Sequence, residues 1–488
     1  MSNTHPRRLL KTAAASIAGA VLAMSFSMAP ASAAPIVDGD QLGSITVHKF
    51  ERPTTPTGLP NNGTVVDTTG LTPLEGIEFT IQQVNTIDLA TNAGWDAAHN
   101  LSSVFSPANP SGSITGAGFS LGASQSRTTD ATGTTAFGNL PVGLYLVTET
   151  DFPAGVTPAA PFLVSVPLTD PNNNNWIYDV HVYPKNSITG AEKIVTDAPD
   201  VKLGDEIDWT ITGDIPNEAI IDGYRVVDVL DSKLTYVRTA ATLVDGTVIT
   251  EGTHYTVDFD NATNTVTVTF TEAGRLVLAA HNDTRVQVVV TTTVNTIGEI
   301  ENEGLVYPNE GSYTGTGSPI VTPPVATKWG EMTLLKVNEN GAALAGASFS
   351  IYANEADAKA GTNPINLNGN TVFTVAADGT LTLSGLRYSD WANGAAVAPG
   401  DPEFRTYYLV ETTAPAGYEL LAEPVAFLIN ATTTTVGIDM EIKNVPSNSG
   451  FELPLTGGVG TNVLYVAGAL LVVGAGLLFV RSRRTTES

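Results

Sequence analysis

Alternation of apolar and polar residues marks a series of strands, and several of them carry one polar side chain on the apolar face. Successive strand side chains point to opposite sides, so in Ser44-Ile-Thr-Val-His-Lys49 the residues Ile45, Val47 and Lys49 share a face. Tyr145, Val147 and Glu149 share another. Read as one strand, residues 176–186 put Val180, Val182 and Asn186 on one side and His181, Tyr183 and Lys185 on the other. The apolar side is expected to be buried. That leaves Lys185, directly after a proline that cannot donate to a ladder, on the outer face at the end of an edge strand.

The pattern returns near the C-terminus. Met332, Leu334 and Lys336 share a face, as do Tyr407, Leu409 and Glu411, and as do Ile438, Met440, Ile442 and Asn444. Between the two lies a variant with aspartate: Ala191, Lys193 and Val195, then Tyr224, Val226, Asp228 and Leu230, then Ile300 and Asn302. Asp231 also follows an alternation, Val227 and Val229, and competes with Asp228. Three modules result, at 34–187, 188–325 and 326–447, with a Gly-, Thr- and Pro-rich linker expected at 315–327. Turn residues between short Val- and Thr-rich runs predict an all-β chain. Short helices are expected only within 88–105 and 353–360.

A lysine among apolar side chains is driven toward its neutral, nucleophilic amine, and a carboxylate there toward its acid. An acid can polarise a neighbouring asparagine carboxamide. Held together, the three permit attack of the amine and loss of ammonia, leaving a Lys–Asn amide. Alternatively, they form a satisfied buried network, since burying any of them unpaired costs several kcal/mol. Cysteine is absent, so any covalent staple must use chemistry other than a disulfide.

The two ends carry their own signals. Arg7, Arg8 and Lys11, an apolar run from Ala13 to Met28, and Ala31-Ser32-Ala33 have the layout of a secretory signal over 1–33, with the mature chain beginning at Ala34. At the other end, Leu453-Pro454-Leu455-Thr456-Gly457 precedes an apolar run long enough to span a bilayer, then Arg481, Arg483 and Arg484. These three parts in this order resemble the cell-wall sorting signal of Gram-positive bacteria. In that family a sortase cysteine attacks the Thr–Gly bond, and the acyl-enzyme passes the threonine to an amine.

Trp176-x-x-x-Val-x-Val-Tyr-Pro-Lys185 resembles the pilin motif of sortase-assembled shaft pilins, and Tyr407-Tyr-Leu-Val-Glu-Thr-Thr-Ala-Pro-Ala-Gly-Tyr418 the E-box of their CnaB-type domains. The resemblance implies three tandem immunoglobulin-like β-sandwiches of CnaB, CnaA and CnaB type. It implies intermolecular joining of Thr456 to Lys185, and intramolecular bonds Lys336–Asn444 promoted by Glu411 and Lys193–Asn302 promoted by Asp228. A Lys49–Asn186 bond with Glu149 rests on a looser match, because Val147 replaces the E-box leucine and Asp151-Phe152-Pro153 replaces x-Ala-Pro. The implied partners are a pilin-specific class C sortase, a housekeeping sortase, identical subunits head to tail, tip and base pilins, and peptidoglycan. The implied location is a surface fimbria anchored to the cell wall. No cofactor is implied.

The formal charge of −26 argues against nucleic acid and anionic membrane surfaces. The six histidines lack metal-ligand spacing, and His48 and His181 read as strand residues on the solvent side. Asp258-Phe-Asp-Asn261 and the asparagines at 172–175 read as turns rather than calcium loops. No hydrolase or nucleotide-binding constellation appears, so an anchored enzyme is disfavoured. A monomeric wall-anchored adhesin shares every feature except the need for Lys185.

Overall fold

The computed structural model describes residues 37–53, 55, 57–170 and 175–447. The signal at 1–33 and the sorting signal with Leu453, Pro454, Leu455, Thr456 and Gly457 lie outside them. The described residues form three β-sandwiches in succession.

In the first, strand Gly43–His48 lies between Asp179–Val182, parallel to it, and Thr134–Leu140, antiparallel. The facing sheet has the order Leu121–Thr128, Glu78–Val84, Gly143–Asp151, Phe162–Val166. Ile45, Val47, Phe79, Ile81, Phe137, Val147 and Val180 fill the space between. Helices Asn92–Val104 and Pro110–Gly116 connect two strands of the second sheet and cover its outer side with Leu101 and Ile114, against Leu144 and Leu146. Both helices are capped, Thr91 accepting from Gly94 N–H and Asn109 from Gly112 N–H.

The middle sandwich packs Ala191–Thr196, Glu206–Asp214, Arg285–Val294 and Leu234–Leu243 against a sheet centred on Arg225–Val229. Trp209, Ile211, Val226, Val268 and Val288 lie at its centre. In the third, Ser348–Tyr352 and Tyr407–Thr413 face a sheet built on Val325–Val337. That strand is 13 residues long and serves two units. Its first part pairs with Gly298–Asn302 of the middle unit, and its second with Thr380–Arg387 and Met440–Lys443 of the third.

Several details differ from the sequence reading. Residues 176–186 are not one strand but parts of three: Trp176–Ile177, Asp179–Val182 and Lys185–Ile188. The break falls at Tyr183-Pro184, where proline offers no N–H and the chain passes from one sheet to another. Lys185 therefore does not end an edge strand; its strand pairs with Phe50–Glu51 and Val156–Thr157. The stretch 315–327 carries strand Ile320–Val321 and the opening of Val325–Val337 rather than a free linker. Besides the helices Asn92–Val104 and Glu355–Ala360 inside the expected ranges, Pro110–Gly116, Glu272–Ala280 and Glu310–Thr314 are helical. Ile438 does not join the buried face of Ile442 and Asn444 but is exposed.

Candidate functional site

The parallel register of Gly43–His48 with Asp179–Val182 is continued by Phe50–Glu51 with Lys185–Ile188, and it brings Lys49 and Asn186 together. Glu149 enters from the facing sheet on Gly143–Asp151. The amine of Lys49 contacts Glu149 Oε1 and lies 2.5 Å from Asn186 Oδ1. Asn186 Nδ2 donates to Glu149 Oε2 at 2.7 Å. All three side chains are buried, and the amine sits 5.6 Å from the centre of the Phe79 ring. Burial pulls Lys49 from the ordinary lysine value of 10.5 to about 8, against the opposing pull of Glu149.

The third sandwich repeats the arrangement on equivalent strands. Lys336 pairs with Ile442 in another parallel register, which places Asn444, two residues on, beside it. The Lys336 amine contacts Asn444 Oδ1, donates to the Ile442 carbonyl at 3.1 Å, and lies 3.7 Å from Glu411 Oε1. Asn444 Nδ2 faces both Glu411 oxygens and donates to the Glu419 carbonyl at 2.7 Å. Leu421 N–H fixes Glu411 Oε2 at 2.9 Å. Burial lowers the Lys336 pKa.

The middle cluster uses the shorter acid. Lys193 Nζ is 2.8 Å from Asp228 Oδ2, and Asn302 Nδ2 is 3.4 Å from the same oxygen. Lys193 also donates to the Glu303 carbonyl at 3.3 Å, and the Trp209 ring centre lies 5.5 Å away. Burial raises Asp228 and lowers Lys193, each against the attraction of the other. Asp228 Oδ1 and Asn302 Oδ1 have no hydrogen-bond partner among the described residues. Asp231 is elsewhere: it accepts from Lys233 N–H at 2.7 Å at a half-exposed turn. The Asp258–Asn261 stretch closes a hairpin in which Asp260 accepts from Ala262 N–H and the Thr263 hydroxyl, both at 2.8 Å.

Lys185 is half-buried, not freely displayed. It lines a cavity of about 770 Å³ together with Trp95, Phe162, Leu168, His181 and Tyr183. Its amine donates to the Tyr183 carbonyl at 3.3 Å. Burial and the nearby Arg52 lower its pKa. The sequence reading missed the neighbours that hold this corner. Arg52 pairs with Glu218 of the middle sandwich at 2.8 Å, and Ser187 donates to Glu218 at 3.0 Å. His48 and His181, taken as separate strand residues, stack on one another. Contacts between units leave no periodic trace, although two histidines of equal parity on paired strands are a usable signal.

Residues 40–187 match the Gram-positive pilin subunit D1, N-terminal domain; 330–444 match the prealbumin-like fold domain; and 445–487 match the LPXTG cell wall anchor motif. The fimbrial subunit type 1 of Actinomyces viscosus is 33% identical over 99% of both chains. The full-length major pilin SpaD of Corynebacterium diphtheriae superposes with a TM-score of 0.64 at 28% identity, covering 85% of this chain and 99% of SpaD. The major pilin SpaA of the same organism gives 0.58 at 27%, covering 83% and 100%. The fold is thus that of immunoglobulin-like pilin sandwiches. The chain belongs to the fimbrial subunit family of sortase-assembled Gram-positive major pilins, shaft subunits of cell-wall-anchored surface pili.

Proposed function

We propose that this subunit is covalently crosslinked both within itself and to its neighbours. The observation that carries the internal part is the same trio, lysine, acid and asparagine, gathered in a buried site three times. Lys336 Nζ attacks Asn444 Cγ, and Glu411 takes the amine proton and delivers it to Nδ2. The C–Nδ2 bond breaks, ammonia leaves, and an amide remains. Lys49–Asn186 with Glu149 and Lys193–Asn302 with Asp228 follow the same course. In the relative SpaA the structure points to a modular pilus assembly stabilizing isopeptide bonds.

Between subunits, sortase cleaves Thr456–Gly457 as a thioester, and the Lys185 amine of the next subunit displaces the thiolate. The cavity beside Lys185 gives the acyl chain its approach. One donor and one acceptor per chain form a heterologous contact that does not close, hence a fibre. A pilin-specific class C sortase builds it, a housekeeping sortase transfers it to peptidoglycan, and tip and base pilins complete it. Tandem mass spectrometry of digested, wall-extracted polymer tests the reading. A branched peptide joining Thr456 to Lys185, and peptides crosslinked at the three internal pairs, are expected. Unmodified lysines at these positions would refute it.

A further inference from the structure

Beside Lys185, three aromatic rings interlock. His48 Nε2 and His181 Nδ1 are 2.9 Å apart, joining two parallel strands across their outer face. The Tyr183 ring lies on His48 with centroids 4.8 Å apart and planes within 10°. Tyr183 Oη accepts from Val66 N–H at 3.0 Å and donates to the Thr64 carbonyl at 3.4 Å, while His181 N–H donates to the Gly63 carbonyl at 2.9 Å. Gly63 and Val66 line the same cavity as Lys185, and it is the Tyr183 carbonyl that holds the Lys185 amine.

We propose that His48, His181 and Tyr183 are positioning residues for Lys185, fixing the carbonyl on which its amine rests and the 63–66 wall past which the acyl chain reaches it. The inference rests on Lys185 being the acceptor. The histidine pair also makes the device sensitive to acid. Its N···N hydrogen bond needs a proton on one facing nitrogen and a lone pair on the other, so two fully protonated rings oppose N–H to N–H.

The groups facing His48 are His181, Tyr183 and the Thr134 hydroxyl, with Oγ1 3.5 Å from Nδ1; His99 and Lys185 line the cavity beyond His181. None of these is a carboxylate that would favour the second proton. Burial and His181 both hold His48 below its ordinary value, so the pair stays singly bonded near neutrality.

The test is sortase-catalysed joining of a Leu-Pro-Leu-Thr-Gly peptide to the full chain, with wild type and His48→Gln compared from pH 5 to 8 so that the enzyme's own titration cancels in their ratio. Wild type is expected to be about tenfold faster at pH 8, as for a reacting group displaced by less than an ångström. The ratio should fall toward one in acid, at a pH below the ordinary histidine value of about 6.5 because His48 is held lower. A ratio of one throughout, or a tenfold ratio that does not change with pH, overturns the proposal. Ammonia loss at the Lys49–Asn186 pair reports whether His48→Gln has folded; if it has not, His181→Gln replaces it. Trace acetylation of Lys185 relative to Lys202 gives a reading that needs no sortase. The same pH-dependent ratio there supports positioning even if joining fails, and equal labelling overturns it.

Discussion

Asn444 presents its Nδ2 to both oxygens of Glu411, at 3.0 and 2.9 Å, while Lys336 presses on Oδ1 of the same carboxamide. The acid is therefore placed on the carboxamide nitrogen and the amine on the carbonyl side, as the proposed condensation requires. Glu411→Ala should retain one ammonia that wild type loses, read as intact mass against the mass calculated for each sequence, as should Lys336→Ala. Closing a loop of this length covalently is worth about 4.7 kcal/mol by analogy with a disulfide spanning roughly 100 residues. Calorimetry should show a drop of that order for the third sandwich in both variants. A Glu411→Ala chain one ammonia lighter than its calculated mass would remove the acid from the reaction.

In the middle sandwich the proposed promoter is the buried acid. Asp228 contacts both Lys193 and Asn302, whereas Asp231 is committed to a turn. Asp228→Asn should retain the ammonia and Asp231→Asn should lose it normally, both read by intact mass. The reverse result would move the role to Asp231.

The first sandwich offers a test by pH. Lys49 is held at about 8 against an ordinary 10.5, so between these values the unfolded chain binds more protons than the folded one. Folded stability then rises with pH across that window. This applies only while Lys49 is free. In Asn186→Ala, which cannot form the bond, the melting temperature should climb relative to wild type between pH 8 and 10.5. In wild type the proposed amide would not titrate. Parallel pH profiles for the two would mean that Lys49 is equally free in both.

With the proposed bonds in place, tension between Lys185 and Thr456 takes a short covalent route. It runs from 185 to 193, crosses to Asn302, follows the chain to Lys336, crosses to Asn444 and leaves. Apart from 185–193, already extended as strands Lys185–Ile188 and Ala191–Thr196, only the 34 residues from 302 to 336 can then lengthen within the described residues, a contour of roughly 115 Å. They include helix Glu310–Thr314, held by the Arg225–Glu310 ion pair at 3.4 Å and by Arg225 over the Tyr313 ring, and strand Ile320–Val321, paired with Gly304–Tyr307. Pulling single molecules between the two linkage points should show an extension bounded by that contour. Lys193→Ala should add the 109 residues from 193 to 302, and Lys49→Ala should change nothing. A wild-type extension far beyond the bound would break the proposed route.

Much of this was legible as alternation. A polar residue on an apolar face identified Lys49, Glu149, Lys193, Lys336 and Glu411 before any contact was known, and Asp228 alongside its competitor Asp231, because strand parity alone decides which face a side chain takes. Asn186, Asn302 and Asn444 follow the same parity, although Asn302 ends its strand and Asn444 lies just beyond one. Parity failed where the chain changes sheets. Pro184 breaks the strand, so Lys185 turns toward a cavity rather than open solvent. It also could not foresee that Val325–Val337 bridges two units, since a turn-rich composition at 315–327 reads as a linker whether or not its neighbours supply a sheet edge. Helix Glu272–Ala280 follows a strand, and only its Thr271 cap and its Gly274 packed against the His254 carbonyl mark it.

The central claim, a shaft joined through Lys185, is tested most directly by immunoblotting cell-wall extracts boiled in SDS, from wild type and Lys185→Arg. A high-mass ladder in wild type that collapses to monomer in the variant is the result expected. A ladder that survives Lys185→Arg would contradict the account and place the acceptor on another lysine.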